Sequence, residues 1–166
     1  MKKFAVIIGI LLLTALLITG CGEGEPTGAT VGDRVTVNYT GYLDDGTIFD
    51  TSYDGEPLSF VIGDGSMISG FDTAVRGMQV GETKTVIIPA ASAYGEYRED
   101  LVVVLSLDEF EEGVEVGDRV QLQNVTSGET MYFTVIDISD SEVTLDGNHP
   151  LAGEDLTFEI ELVAIE

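Results

Sequence analysis

The chain has 166 residues, of which 30 are Asp or Glu and only seven Lys or Arg, giving a formal net charge of −23. Such a surface repels nucleic acid and anionic lipid headgroups, which excludes binding by basic patches. A single cysteine and a single histidine leave no intrachain disulfide and too few ligands for a zinc site of the usual spacing.

In chain order, the first element is a leader rather than part of a fold. Lys2 and Lys3 precede an apolar run of 15 residues, Phe4 to Ile18, shorter than the roughly 20 residues of a membrane-spanning helix. Small residues then lead to Cys21 in "LITGC", which resembles the lipobox of exported lipoproteins. That resemblance implies a signal peptide over residues 1–20, cleavage before Cys21 and a diacylglycerol on the Cys21 thiol. The expectation is an exported protein held on the outer face of the cell membrane by lipid, stable when two or more acyl chains insert. The alternative is an uncleaved signal anchor. Without Lys2 and Lys3 the balance is 5 basic against 30 acidic residues, a net of −25, which suits a high-salt habitat where self-repulsion is screened.

Residues 21–30, with "GEGEPTGAT", read as a flexible tether. The remainder, 31–166, suffices for one modest core or one domain with a small companion. Turn signals are frequent and strands short, which predicts a mostly β architecture. "DRVTVNYTGYL" alternates apolar and polar, and "DDG" at Asp44 to Gly46 turns it into "TIFDTS" as a hairpin or bulged return. "LSFVIG" is a further strand. "SMISGFDTAVRGM" is the one helix: Ile68, Phe71 and Val75 recur at helical spacing, Ser69 is the predicted N-cap and Gly77 the stop. "ETKTVIIPA" is a strand closed by Pro89. The tripeptide "VGD" or "VGE" occurs at Val31, Val80 and Val116, and turn chemistry explains it more simply than an internal duplication.

Residues 97–146 behave as a unit. "LVVVLSL", "DRVQLQNV", "MYFTVIDI" and "EVTL", separated by "TSGET" and "SDS" turns, predict a small antiparallel meander. Only then does the chain reach its last strand, "DLTFEIELVAI", where Leu156, Phe158, Ile160 and Leu162 face one side. The simplest organisation is a compact insert between the penultimate and last elements of a sheet.

The inventory for chemistry is thin. No GxSxG elbow accompanies the lone histidine. "DISDSE" gathers acids without the loop pattern of a calcium-binding hand, and "GDGSMISG" lacks phosphate-loop spacing. The unusual feature is a set of aromatic and aliphatic residues beside turns: Tyr39, Phe49, Phe60, Met67, Ile68, Phe71, Tyr94 and Phe158. Singly, each reads as core. In their order, "VNYTGYLDDGTIFDTS", "PLSFVIGDGSMISGFDTAVRGMQVGE", "SAYGEY" and "GNHPLAGEDLTFEIELVAI" resemble the FKBP-type peptidyl-prolyl isomerases. The insert followed by "DGNHPLAG" resembles their SlyD-like branch, which carries an insert-in-flap domain.

The resemblance implies an α+β, mostly β fold: an antiparallel sheet wrapped on one short helix, made of residues 31–96 and 147–166, with an inserted chaperone-like β domain at 97–146. It implies catalytic positions Tyr39, Asp50, Phe60, Tyr94 and Phe158, and substrate-binding positions Met67, Ile68, Phe71, His149 and Leu151. Phe60, Phe71 and Phe158 would enclose the proline ring, and Tyr94 would bond the substrate carbonyl. Ile68 would offer its N–H, and Asp50 would lie near the rotating carbonyl and hold Tyr39 through a hydrogen bond. Phe71 departs from the family's usual tryptophan and from the leucine of SlyD-like members. The histidine-rich tail of some SlyD-like proteins has no counterpart in "LVAIE", so no nickel, other metal or cofactor is expected. His149 reads first as a residue of the pocket rim, with a satisfied loop histidine as the alternative, and without a proton to transfer. The implied activity is X-Pro cis–trans isomerisation by a monomer that assists folding of exported proteins, with the insert binding unfolded chains. The alternative is a non-catalytic, lipid-anchored holdase on the same fold.

Overall fold

The computed structural model describes residues 28–110, 113–123, 128 and 130–166. The expected signal peptide, Cys21 and most of the expected tether lie outside these residues. The described chain forms two antiparallel sheets and one short α-helix. β1 (Arg34–Tyr42), β2 (Ile48–Thr51), β3 (Leu58–Val61), β4 (Thr83–Ile88) and β9 (Leu156–Ile165) build the first sheet. β5 (Val102–Ser106), β6 (Arg119–Gln123), β7 (Thr130–Ile138) and β8 (Glu142–Asp146) build the second.

The nine-residue β1 organises the first sheet. One edge pairs with β9 along nearly its whole length, from Val35 opposite Ile165 to Tyr42 opposite Thr157. The other edge is shared, its first half by β3 and its second half by β2. β9 alternates as its sequence predicts: Leu156, Phe158, Ile160 and Leu162 are all buried, and the residues between them are not. This face meets Val35 and Val37 of β1 and the apolar side of helix α1 (Ser69–Val75), namely Phe71, Ala74 and Val75. Each such side chain contributes about 1.5–3 kcal/mol by leaving water, so the β1–β9–α1 contact is the centre of the first core.

Helix α1 starts differently from expectation. Ile68, with extended backbone (φ −58°, ψ 141°), occupies the cap position and Ser69 is already helical. An isoleucine offers no oxygen to the helix N–H groups, and the Ser69 hydroxyl donates to Ser92 O at 3.2 Å instead. The expected cap is thus a tie from the helix to the loop after β4. Gly77 does end the helix region, at φ +80°, and its N–H donates to Ala29 O at 2.7 Å. Asp72, buried on the helix, accepts from Gly63 N–H at 2.6 Å and pairs with the Arg76 guanidinium, so its desolvated charge has partners on both sides.

The three VGD/VGE segments are one turn used three times. In each, the residue before Val donates its N–H to the acidic side chain three positions on, and that acidic residue returns its own N–H to the first carbonyl: Thr30 with Asp33, Gln79 with Glu82, Glu115 with Asp118. The glycine between them has φ from +85° to +101°, which only glycine adopts without strain. The repeat is turn chemistry.

In the second sheet the strand order is β5-β8-β7-β6, which corrects the expected meander. β6, β7 and β8 pair in sequence order, but β5 crosses to pair with β8, Val103 opposite Leu145 and Leu105 opposite Val143. That register brings two strands' apolar residues onto the face that buries Phe133 and Val135, closed over by Leu107, Phe110 and Val114.

Candidate active site

Between β1 and β2 of the first sheet and helix α1 lies a cleft of about 170 Å³, room for about six waters at their liquid volume or for one small ring. Phe71 and Phe158, both nearly fully buried, form its floor with ring centroids 5.2 Å apart and planes at 78°. Tyr39 meets Phe71 edge-on at 5.6 Å, and Phe49 meets Phe158 at 5.6 Å and 88°. Edge-to-face pairs of this kind contribute beyond the area they bury, so the floor is a rigid aromatic cluster. Met67 and Ile68, just before α1, line one side, with Leu58 and Ser66 beside them and Tyr94 at the lip.

The wall formed by Tyr39 is fixed by its backbone. Tyr39 N–H donates to Ser52 Oγ at 2.9 Å, and Ser52 N–H donates to Tyr39 O at 3.0 Å. From there the Tyr39 hydroxyl donates to Asp50 Oδ2 at 2.5 Å. Burial, and then the hydrogen bond and charge of Asp50, push the Tyr39 phenol far above its ordinary range, because ionising it would desolvate a second negative charge beside the first. Tyr39 thus keeps its proton well into alkaline pH as a donor to Asp50, which it holds at the rim.

Tyr94 is presented by the loop after β4. A 3₁₀ turn, Ala90–Ser92, is pinned by Ala90 N–H to Asp155 Oδ1 at 2.9 Å, and Gly95 N–H returns to Ala90 O at 2.8 Å. Gly95 has φ +88°, so the sharp exit after Tyr94 needs a glycine. The Tyr94 ring is stacked on the imidazole of His149, centroids 3.8 Å apart and planes within 3°. His149 Nδ1 accepts from Leu151 N–H at 3.1 Å, so the proton of the neutral ring is on Nε2. Partial burial against Tyr94 lowers the His149 pKa.

Seven of the expected site residues therefore line one cleft: Tyr39, Asp50, Met67, Ile68, Phe71, Tyr94 and Phe158. Three stand behind it. Phe60 is buried with its ring 5.9 Å from Phe71, beneath the floor. Leu151 is half-buried against the main core. His149 backs Tyr94 and faces a second cleft with Tyr97, Asp146 and Pro150. Phe49, Leu58 and Ser66 line the cleft without having been expected there. Phe49 carried a signal, as an aromatic next to Asp50, but neighbours on a strand normally face opposite ways. The register shift opposite Gly41 and Tyr42 twists β2 so that both reach the cleft.

Similarity to known proteins extends over most of the chain. A family model described as FKBP-type peptidyl-prolyl cis-trans isomerase matches residues 25–163. The FKBP-type peptidyl-prolyl cis-trans isomerase SlyD of Treponema pallidum is 35% identical over 131 residues, covering 79% of this chain and 74% of the relative. SlyD of Escherichia coli is 37% identical over 133 residues, covering 79% of this chain and 67% of its own. A probable FKBP-type 16 kDa isomerase of Pseudomonas fluorescens is 29% identical over 133 residues, covering 80% and 89%.

Proposed function

The chain belongs to the FKBP-type peptidyl-prolyl cis-trans isomerases and catalyses rotation about X-Pro bonds, and we propose that it does so in the aromatic cleft, on unfolded segments of exported proteins. Rotation about X-Pro loses amide resonance, with a barrier of about 18–20 kcal/mol and uncatalysed times of about 10–100 s. The twisted amide is less polar than the planar one, since nitrogen and carbonyl no longer share electrons. A water-poor, aromatic site binds the twisted form in preference to the planar one, which is differential binding of the transition state.

The observation that carries this assignment is the contrast between the two walls of the cleft. On one, the Tyr39 hydroxyl is committed to Asp50; on the other, Tyr94 stands 39% exposed at the lip, available to a substrate carbonyl. In this reading the proline ring rests on Phe71 and Phe158, with Phe60 supporting Phe71 from below. Met67 and the N–H of Ile68 meet the flanking peptide, and Asp50, fixed by the Tyr39 hydroxyl, lies near the rotating carbonyl. No proton changes place, so His149 needs no acid–base role. The test is acceleration of cis–trans exchange in a short Leu-Pro or Phe-Pro peptide. A rate proportional to protein concentration and lost on Tyr94→Phe with Phe158→Ala supports the cleft; full activity in that double variant refutes it.

The second sheet adds unfolded-chain binding in this reading. Val104, Met131, Tyr132 and Ile136 are all exposed, and apolar side chains beside open strand edges suit an extended client. Aggregation suppression that survives loss of residues 97–146 would remove this role. The "LITGC" segment supports a lipid anchor on Cys21, with the protein working as a monomer outside the cell membrane. Cys21→Ser should shift it from the membrane to the soluble fraction, and unchanged membrane retention would argue for an uncleaved anchor.

A further inference from the structure

Asn148 stands where the chain returns from the second sheet, opposite Arg98, where it leaves for that sheet. The Asn148 side chain behaves there like a paired strand. Arg98 N–H donates to Asn148 Oδ1 at 2.9 Å, and Asn148 Nδ2 donates to Arg98 O at 2.9 Å. Both the backbone N–H and Nδ2 of Asn148 also donate to Asp146 Oδ1 at 2.7 Å. The amide thus has its oxygen and both its donors engaged in one orientation, and a clasp closes the two crossing segments.

The clasp is covalently next to His149, whose ring lies flat on Tyr94 at 3.8 Å. Leu151 N–H to His149 Nδ1 fixes the imidazole from its other side, and Ala152 N–H to His149 O at 2.8 Å fixes its backbone. On the Tyr94 side, Gly153 N–H donates to Gly95 O at 2.8 Å. Tyr94 and Arg98 are thus held to the same returning segment at two points, one through the ring stack and one through the Asn148 amide.

We propose that Asn148 is a positioning residue for the isomerase reaction: by clasping Arg98 it holds His149 against Tyr94 and so sets where the Tyr94 hydroxyl meets the substrate carbonyl. This rests on the reading of Tyr94 as a substrate donor. It assigns to the stem of the second sheet a part in catalysis separate from client binding.

The test uses the single histidine as a probe. In the parent protein the Tyr94 ring, stacked at 3.8 Å, should shift the His149 ring proton resonances upfield. Asn148→Ala should return them towards free imidazole and lower kcat about five-fold with KM held within about two-fold, a loss of transition-state binding alone. Tyr97→Phe, which removes only the Tyr97 hydroxyl bond to Asp146, should change neither. In a Tyr94→Phe background, Asn148→Ala should add no further loss, since coupled groups are non-additive. A parent-like rate in Asn148→Ala beside an impaired Tyr94→Phe overturns the proposal alone. Full activity of Tyr94→Phe by itself overturns the reading of Tyr94 and the proposal with it. Should Asn148→Ala not fold, His149→Ala tests the same link: a matching kcat loss supports it and full activity refutes it.

Discussion

The Tyr39 hydroxyl and Asp50 Oδ2 are 2.5 Å apart, and the same pair explains both a wall of the cleft and a pH dependence. Burial, and then Asp50, raise the Tyr39 pKa above the ordinary value of 10.0, so the native state holds that proton more tightly than the unfolded chain. Its stabilisation is complete below pH 10 and is lost as pH rises from about 10 towards the native value. Denaturation midpoints followed upward through pH 10 should fall, and fall less steeply in Tyr39→Phe. Parallel curves for the two proteins would contradict the coupling.

Tyr94 and Phe158 should separate chemistry from stability. Tyr94→Phe keeps the ring against His149 and removes one donor at the lip, so peptide isomerisation should slow several-fold while the unfolding midpoint stays at the parent value. Phe158→Ala removes a floor ring that is also core, at a cost of about 3–5 kcal/mol, and should damage rate and stability together. Isomerase assays alongside thermal unfolding decide it. Equal activity in Phe158→Ala and the parent would rule out the floor assignment.

Gly41 is where backbone meets floor. A Cβ there would lie 2.6 Å from the Phe49 ring and 3.1 Å from Phe158, so Gly41→Ala must displace an aromatic group of the cleft. Overpacking of this kind destabilises by about 1–3 kcal/mol, and the displaced rings should lower kcat/KM more than Gly46→Ala, where an added Cβ meets no neighbour and the φ of +83° strains only the β1–β2 turn. A larger loss of activity in Gly46→Ala would be the contrary result.

His149 titrates below its unfolded value because one face is covered by Tyr94. The unfolded chain therefore takes up the proton first as pH falls. Stability contributed by the stack is present above about pH 6.5 and is lost as pH drops through that value towards the native one. Isomerisation itself moves no proton, so kcat/KM should vary only shallowly over the range in which the protein stays folded. Measured together, a steep activity profile with flat stability would overturn this division.

Much of the first sheet was legible in the sequence because it depends on local rules. Alternation marked β1 and β9, helical spacing marked Phe71 and Val75, and glycine turns marked the three VGD/VGE corners. The aromatic set beside those turns also pointed to the cleft, through family resemblance rather than through spacing. Ser69 was misread as a cap, since its hydroxyl has a better partner 23 residues away in Ser92.

Local pattern alone marks the strands and their apolar faces, and one cysteine and one histidine leave little for thiol or zinc chemistry. The pairing of β5 with β8, the place of Phe60 beneath the floor and of Phe49 on the lining, and the position of His149 behind Tyr94 instead of in the cleft follow from the folded chain. Periodicity and turn preference are set by neighbours within a few residues, whereas sheet order, ring stacking and the Asn148 clasp depend on contacts between segments about 50 residues apart, which no local pattern records.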